Sequence, residues 1–249
     1  MVRVLLFAVA LAVGSPSVHA SDGATPSKET APIPTAGAAA ADLKMDDLSP
    51  IVDNPWVALA SRKKSIYAGK ERDAESGKMV EIRMEATIRD QPEVVGGVKV
   101  TVVEVSDFDD GELVEKTRDY YAQHRSGAVY YMGERVDDYE GGKISGHGGQ
   151  WIAGEKGAKA GLFMPAAPKV GDVFEQEQAP GVAEDRSKVI AVGVKVTVPA
   201  GTFEDCIEVE DFDPIGKTTQ RKFYCKKVGL VREVFDRGGS IDLIEIQMR

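Results

Sequence analysis

Cys206–Cys225 reads CIEVEDFDPIGKTTQRKFYC. Two strand-like runs, Cys206–Phe212 and Thr218–Tyr224, flank a turn rich in Pro and Gly, the punctuation of a hairpin. A turn centred on Ile215-Gly216 places Cys206 opposite Cys225, Glu208 opposite Phe223, and Glu210 opposite Arg221. Directly opposed Cα atoms in an antiparallel pair lie roughly 4.5–5.5 Å apart, within the range of about 4.4–6.8 Å that a disulfide accepts. The register therefore predicts a bridge between Cys206 and Cys225, the only two cysteines of the chain. The loop it closes, about 18 residues long, is worth roughly 3 kcal/mol by chain entropy.

Outward from this hairpin the same texture continues. Val80–Asp90 alternates, with Ile82, Met84 and Ala86 on one face. Val98–Val105 is β-branched, and Thr117–Gln123, Ala128–Met132, Val189–Val198, Leu230–Phe235 and Ile241–Gln247 follow, separated by Gly, Pro, Asp or Ser. Long windows lack helical periodicity, and the connections are too short for many parallel crossovers. The expected fold is all-β: an antiparallel meander forming a curved sheet, a half-barrel or a closed barrel.

The meander contains an echo. Gly97–Val102 (GVKVTV) recurs letter for letter at Gly193–Val198. Asp-Phe-Asp follows at 107–109 and 211–213, Lys-Thr at 116–117 and 217–218, an aromatic pair at Tyr120-Tyr121 and Phe223-Tyr224, and Gly-apolar-Val at 127–129 and 229–231. Two duplicated units explain this, as does chance likeness between meanders of similar composition; both readings stay open.

The N-terminus carries the parts of a secretory signal: Arg3, an apolar run from Val4 to Val13, and a small-residue cleavage region ending Val18-His19-Ala20. The run is shorter than the roughly 20 residues a membrane span needs, and the cleavage region is followed by Ser21 and not by the Cys of a bacterial lipoprotein. The expected organisation is a signal peptide over 1–20, a flexible Ala/Pro/Thr-rich linker over 21–52, and a single β-rich domain over 53–249, periplasmic or secreted. An even cysteine count suits an oxidising compartment. The formal net charge of −9 argues against nucleic acid, and no other segment reads as transmembrane.

Candidate chemistry is sparse. Asp107, Asp109 and Asp110 surround one turn and Asp211 and Asp213 the matching one, which offers carboxylate oxygens to a calcium-type cation. The spacing departs from the EF-hand pattern, and Asp-Gly is also the usual chemistry of a tight hairpin. His147, in a Gly-rich loop, is a weaker metal candidate, with His124, Met132 or Met164 as partners. Trp151, Phe163, Phe174, Tyr121 and Tyr224, with Phe203 and Phe223, would line an apolar cavity if the sheet curves; a packed core is the alternative. The chain shows no zinc-protease, serine-hydrolase or nucleotide-binding motif, and Glu184-Asp185, being adjacent, would point to opposite faces of a strand.

Several blocks carry a family resemblance: Asn54-Pro55-Trp56; Asp110–Glu115 leading into Asp119–Gln123; Gly127–Glu134; Gly161–Pro165 through Val170–Asp172 and Gln176-Glu177 to Gly181–Asp185; Val198–Phe203; and Val228–Val231. On these the chain resembles an uncharacterised family of exported bacterial proteins and lipoproteins. The resemblance implies export and no particular reaction. Cys225 with Lys226 and Lys227 departs from the family's Ala-Pro-Gly at that point, which makes the disulfide a local addition.

The expected function is a non-catalytic binding or envelope-accessory module, with a small apolar ligand or an envelope protein as partner. A calcium-type metal protein and a carrier of an apolar ligand are the alternatives. An enzyme is the least favoured reading, and the oligomeric state is open.

Overall fold

A computed structural model describes residues 43–249 of the chain. The signal reading of 1–20 and the linker reading of 21–42 lie outside these residues. The described chain is all-β: a 3-10 turn, Met45–Asp47, precedes sixteen strands. These are β1 (Leu48–Ser49), β2 (Arg62–Arg72), β3 (Met79–Ile88), β4 (Glu93–Val95), β5 (Val98–Asp109), β6 (Glu112–His124), β7 (Val129–Glu140), β8 (Lys143–Gly146), β9 (Trp151–Ile152), β10 (Gly161–Met164), β11 (Val173–Glu175), β12 (Arg186–Val198), β13 (Gly201–Asp213), β14 (Thr218–Cys225), β15 (Gly229–Phe235) and β16 (Gly239–Met248). Among the described residues no helix is long and apolar enough to cross a membrane.

One antiparallel sheet contains them, along the path β10-β7-β6-β5-β3-β2-β16-β15-β14-β13-β12-β11. Tight turns make the meander. Asp110 and Gly111 link β5 to β6 with φ of 47° and 86°, the left-handed pair that a two-residue hairpin with matched twist requires.

β2 is the strand that the sequence pattern does not announce. RKKSIYAGKER carries charge on both faces, yet β2 pairs with β16 on one side and β3 on the other. It joins the two ends of the described chain, and so leaves the edges of the sheet to mid-chain strands β10 and β11.

Those edges return to each other. Lys159 N–H donates to Gln178 O at 2.9 Å in an isolated bridge. Gly161 lies so close to the other edge that a Cβ there would stand 1.8 Å from Gln176 O. The ladder does not continue across this seam, so the sheet is a curved, unclosed half-barrel. Its inner surface carries the core, in which Met84, Ile207, Ile241 and Leu243 are fully buried.

Order begins earlier than the linker reading of 21–52 allows. Leu48 and Ser49 pair with His124 and Gln123, and Val52 is buried. Asn54 then stitches this segment down: its Nδ2 donates to Gly127 O at 2.9 Å and Pro165 O at 3.2 Å.

The 206–225 hairpin has the expected register, with Cys206 opposite Cys225, Glu208 opposite Phe223 and Glu210 opposite Arg221. The disulfide joins Cys206 and Cys225 at a Cα separation of 4.0 Å. One detail differs: Arg221 Nη1 pairs with Glu208 Oε1 at 3.2 Å, a diagonal neighbour, instead of the opposed Glu210.

The echo resolves unevenly. The first GVKVTV opens β5, which runs on into Asp-Phe-Asp in one strand, whereas the second closes β12 and the matching Asp-Phe-Asp ends β13. Beyond that point the units agree. β5-β6-β7 and β13-β14-β15 are three-stranded meanders. Each has a register shift at its aromatic pair, between Tyr120 and Tyr121 and between Phe223 and Tyr224.

Candidate functional site

The inner face changes character along four strands. On β5 the buried alternate residues are Val103, Val105 and Asp107; on β13 they are Ile207, Val209, Asp211 and Asp213. On β6 they run from Tyr121 through Asp119 and Thr117 to Glu115, and on β14 from Tyr224 through Lys222 and Gln220 to Thr218. Side chains alternate across a strand, so each series lines one face. The inner face of the half-barrel therefore has an apolar tier and, towards the β5–β6 and β13–β14 turns, a charged tier.

The charged tier is mostly acidic. Among the described residues nine buried carboxylates face two buried cations, Arg62 and Lys222. Buried ions are normally paired; the second unit supplies a buried lysine, Lys222, and the first has none at the matching position.

In the second unit the pairing is complete around Asp211. Lys222 Nζ lies 2.7 Å from Asp211 Oδ2, and Ser187 Oγ–H donates to Asp211 Oδ1 at 2.6 Å. Burial lowers the Lys222 pKa, but Asp211 and Glu233 outweigh it, so the ammonium is held charged well beyond its usual range.

In the first unit the position before the tyrosine is Asp119, not a lysine, and it lies opposite Glu134. Glu134 is 0 % exposed, with the Tyr131 hydroxyl as its polar neighbour and no cation paired to it. On its other side it lies opposite Trp151, whose indole N–H donates to Glu177 Oε1 at 3.1 Å. Tyr131 O–H donates to Asp119 Oδ1 at 3.3 Å. Glu177 Oε2 and Asp213 Oδ2 are buried without hydrogen-bond partners. Burial first, and the neighbouring carboxylates second, push Glu134 and Glu177 well above the usual carboxylate range. Asp119 moves the same way, chiefly through burial, and Asp185 is pushed up to about 8 by burial and Asp213.

Beside these carboxylates sits a packed aromatic group. Tyr121 stacks on Tyr131 with ring centres 4.9 Å apart. Phe163 meets Tyr121 at 5.0 Å and Tyr224 at 6.3 Å, and Trp151 meets Tyr131 edge-on at 5.5 Å. The structure thus brings together four of the five aromatic candidates read from the sequence, through Tyr131, which that reading omitted. They pack on one another in the apolar tier. Phe174 is buried on β11, and Phe203 and Phe223 pack half-buried against the core.

The aspartates of the two turns separate. Asp107, Asp211 and Asp213 are buried on the inner face, Asp109 is half-buried, and Asp110 is exposed at the turn, where its Oδ1 accepts from Glu81 N at 3.0 Å. His147 is exposed, with Nδ1 2.7 Å from Val136 O and 3.0 Å from Asp137 Oδ1. Among the described residues no three His, Cys, Asp or Glu side chains gather as a metal centre would need.

Asp119, Glu134 and Glu177 were not among the candidate site residues read from the sequence, and Asp185 was weighed only as half of the Glu184-Asp185 pair. A signal existed: Glu115, Thr117 and Asp119 share the parity of Tyr121, so a tyrosine placed inside carries the acids inside with it.

No family model and no curated protein matches the chain. A solved structure, a "putative lipoprotein" from Parabacteroides distasonis ATCC 8503, aligns at 14% identity over 78% of this chain and 99% of that one, with a TM-score of 0.37. A likeness at that level assigns no function, and the family resemblance stays an expectation of the sequence.

Proposed function

We propose that the chain is an exported, non-catalytic binding module that takes a ligand at the inner face of its half-barrel, at the border of the aromatic and acidic tiers. Export is supported by the signal-like first twenty residues and by the disulfide. Binding is supported above all by Glu134, a fully buried carboxylate that no cation neutralises and whose polar neighbour is the Tyr131 hydroxyl. A fold that spends stability on such a group without recovering it internally has the signature of a functional site.

Native mass spectrometry of the protein purified from its own compartment, together with thermal-shift screening of a chemically diverse ligand set, tests this. A bound species or a saturable shift that Glu134→Gln abolishes supports the reading. A protein that carries nothing and responds to nothing overturns it.

A further inference from the structure

The molecule contains its own precedent for what belongs beside Asp119 and Glu134. In β14 the residue two places before the inward tyrosine is Lys222, opposite Glu233 and 2.7 Å from Asp211. In β6 the residue two places before the inward tyrosine is Asp119, opposite Glu134. The second unit holds a primary ammonium among its carboxylates through its own chain; the first has carboxylates and no ammonium. From this we infer that the inner face at Asp119, Glu134 and Glu177 binds a primary alkylammonium, carried by a small aliphatic amine or polyamine. This rests on the binding-module reading and names its ligand class.

Three features fit that class. First, the three buried carboxylates have no cation bonded to them, only the hydroxyls of Thr117 and Tyr131 and the Trp151 indole, and Glu177 Oε2 has no hydrogen-bond partner. An ammonium donates N–H bonds to whichever acid it meets, and charge-assisted bonds of this kind are the strong ones. Second, the acids are strung along the wall, Asp119 on β6, Glu134 on β7 and Glu177 beyond β11, without three gathering round one point. That layout suits an extended cation with a hydrocarbon stem better than a compact divalent ion, which wants six or more oxygens at one centre. Third, Tyr131 and Trp151 stand beside the acids with rings 5.5 Å apart. Aromatic side chains attract cations and bury methylenes, so an alkyl stem that entered beside the acids would meet apolar neighbours.

Access is cheapest at the seam. Glu177 adjoins Gln178, which meets the other edge through the isolated bridge to Lys159 and through its own Nε2, 3.3 Å from Ala160 O. Parting these contacts breaks few hydrogen bonds compared with opening a ladder.

The test titrates the full mature protein with spermidine, 1,5-diaminopentane and n-butylamine at pH 7.5. Calcium chloride and sodium chloride at matched ionic strength are the controls, read by thermal shift and calorimetry. Saturable amine binding is expected, with a rise in melting temperature of roughly 5 °C or more at amine a hundredfold above its dissociation constant. Glu134→Gln and Glu177→Gln, which remove charge while keeping shape, should each weaken it at least tenfold. Asp110→Asn, on the exposed turn, should bind as the wild type does. A response that sodium chloride reproduces, or that survives Glu134→Gln, overturns the amine assignment. A non-cationic molecule found bound by native mass spectrometry also overturns it while the binding-module reading stands. Absence of any ligand and of any response removes both.

Discussion

Asp119 and Lys222 stand at the same step of two similar three-stranded units, each two residues ahead of a buried inward tyrosine, and they carry opposite charges. Lys222 is neutralised where it stands, by Asp211 at 2.7 Å. Asp119 meets a second carboxylate, Glu134, across the strands. One position of the meander is thus built for fold stability in one unit, and against it in the other.

Glu134→Gln should therefore stabilise the unliganded protein. The substitution keeps the shape, removes the charge, and gives Asp119 Oδ2 or Glu177 Oε2 an amide donor. A gain in stability at pH 8 is expected, because burial and the neighbouring carboxylates penalise a charge that the amide lacks. Urea denaturation at pH 8 measures it; a loss of more than about 1 kcal/mol would show that the carboxylate already has a stabilising role in the bare fold.

How much of this was legible follows from which signals are local. The 206–225 hairpin was legible because a turn and a period-2 pattern fix register together, and the cysteines then check it. β2 was not, because Arg62, Lys63, Lys64, Lys70, Glu71 and Arg72 make its sequence read as surface while its neighbours β3 and β16 bury Tyr67 between them. The acidic tier was hidden for a related reason. In a half-buried strand polar alternate residues normally mark the outer face, and on β6 the outward residues Lys116 and Arg118 are charged as well. Only the parity of Tyr121 distinguishes the two sets.

The pH dependence of stability has a definite sign. Asp119, Glu134, Glu177 and Asp185 have folded pKa values raised above their unfolded ones, Asp185 to about 8. The folded protein then holds protons that the unfolded chain releases above about pH 4. Their stabilising contribution is complete below that pH and is lost as pH rises through the folded values. Glu85, held low by hydrogen bonds from Lys64 and Arg83, contributes in the opposite sense below its unfolded pKa. The melting temperature should fall steadily from pH 5 to pH 9 in amine-free buffer. A flat or rising profile over that window would contradict buried, raised carboxylates.

Lys222→Met should be among the most damaging single changes. It leaves Asp211 buried with only Ser187 and a long contact from Gln176, at 3.5 Å, to satisfy it. Breaking a buried pair from one side costs about 3–5 kcal/mol. Adding Asp211→Leu should restore much of the loss, because the stranded charge goes with it. Equilibrium denaturation of the two variants decides the matter, and equal stabilities would place the damage in packing and not in charge.

Removal of the disulfide should cost less and act differently. The bridge spans a sequence separation of 19, and its entropic worth is roughly 3 kcal/mol. The paired Cys206→Ala and Cys225→Ala variant should unfold at lower urea concentration yet keep the amine response, since the bridge lies in the hairpin and outside the acidic wall. A variant that loses the amine response at temperatures where it is folded would tie the hairpin to the site.

Gly161→Ala tests the seam. A Cβ on Gly161 would stand 1.8 Å from Gln176 O and 2.3 Å from Gln176 C, both backbone atoms. They cannot swing aside as a side-chain tip would, so β10 and the segment carrying Gln176 and Glu177 must separate. Overpacking of this kind costs about 1–3 kcal/mol, and here the relief available is to open an isolated bridge. The variant should therefore lose hydrogen-exchange protection first at the Lys159 amide, which donates to Gln178 O, while the β13–β14 hairpin keeps its own. If the seam is also the access route, amine association and dissociation should both quicken in Gly161→Ala. Loss of protection spread evenly over the sheet would mean instead that the two edges are coupled to the whole fold and do not part separately.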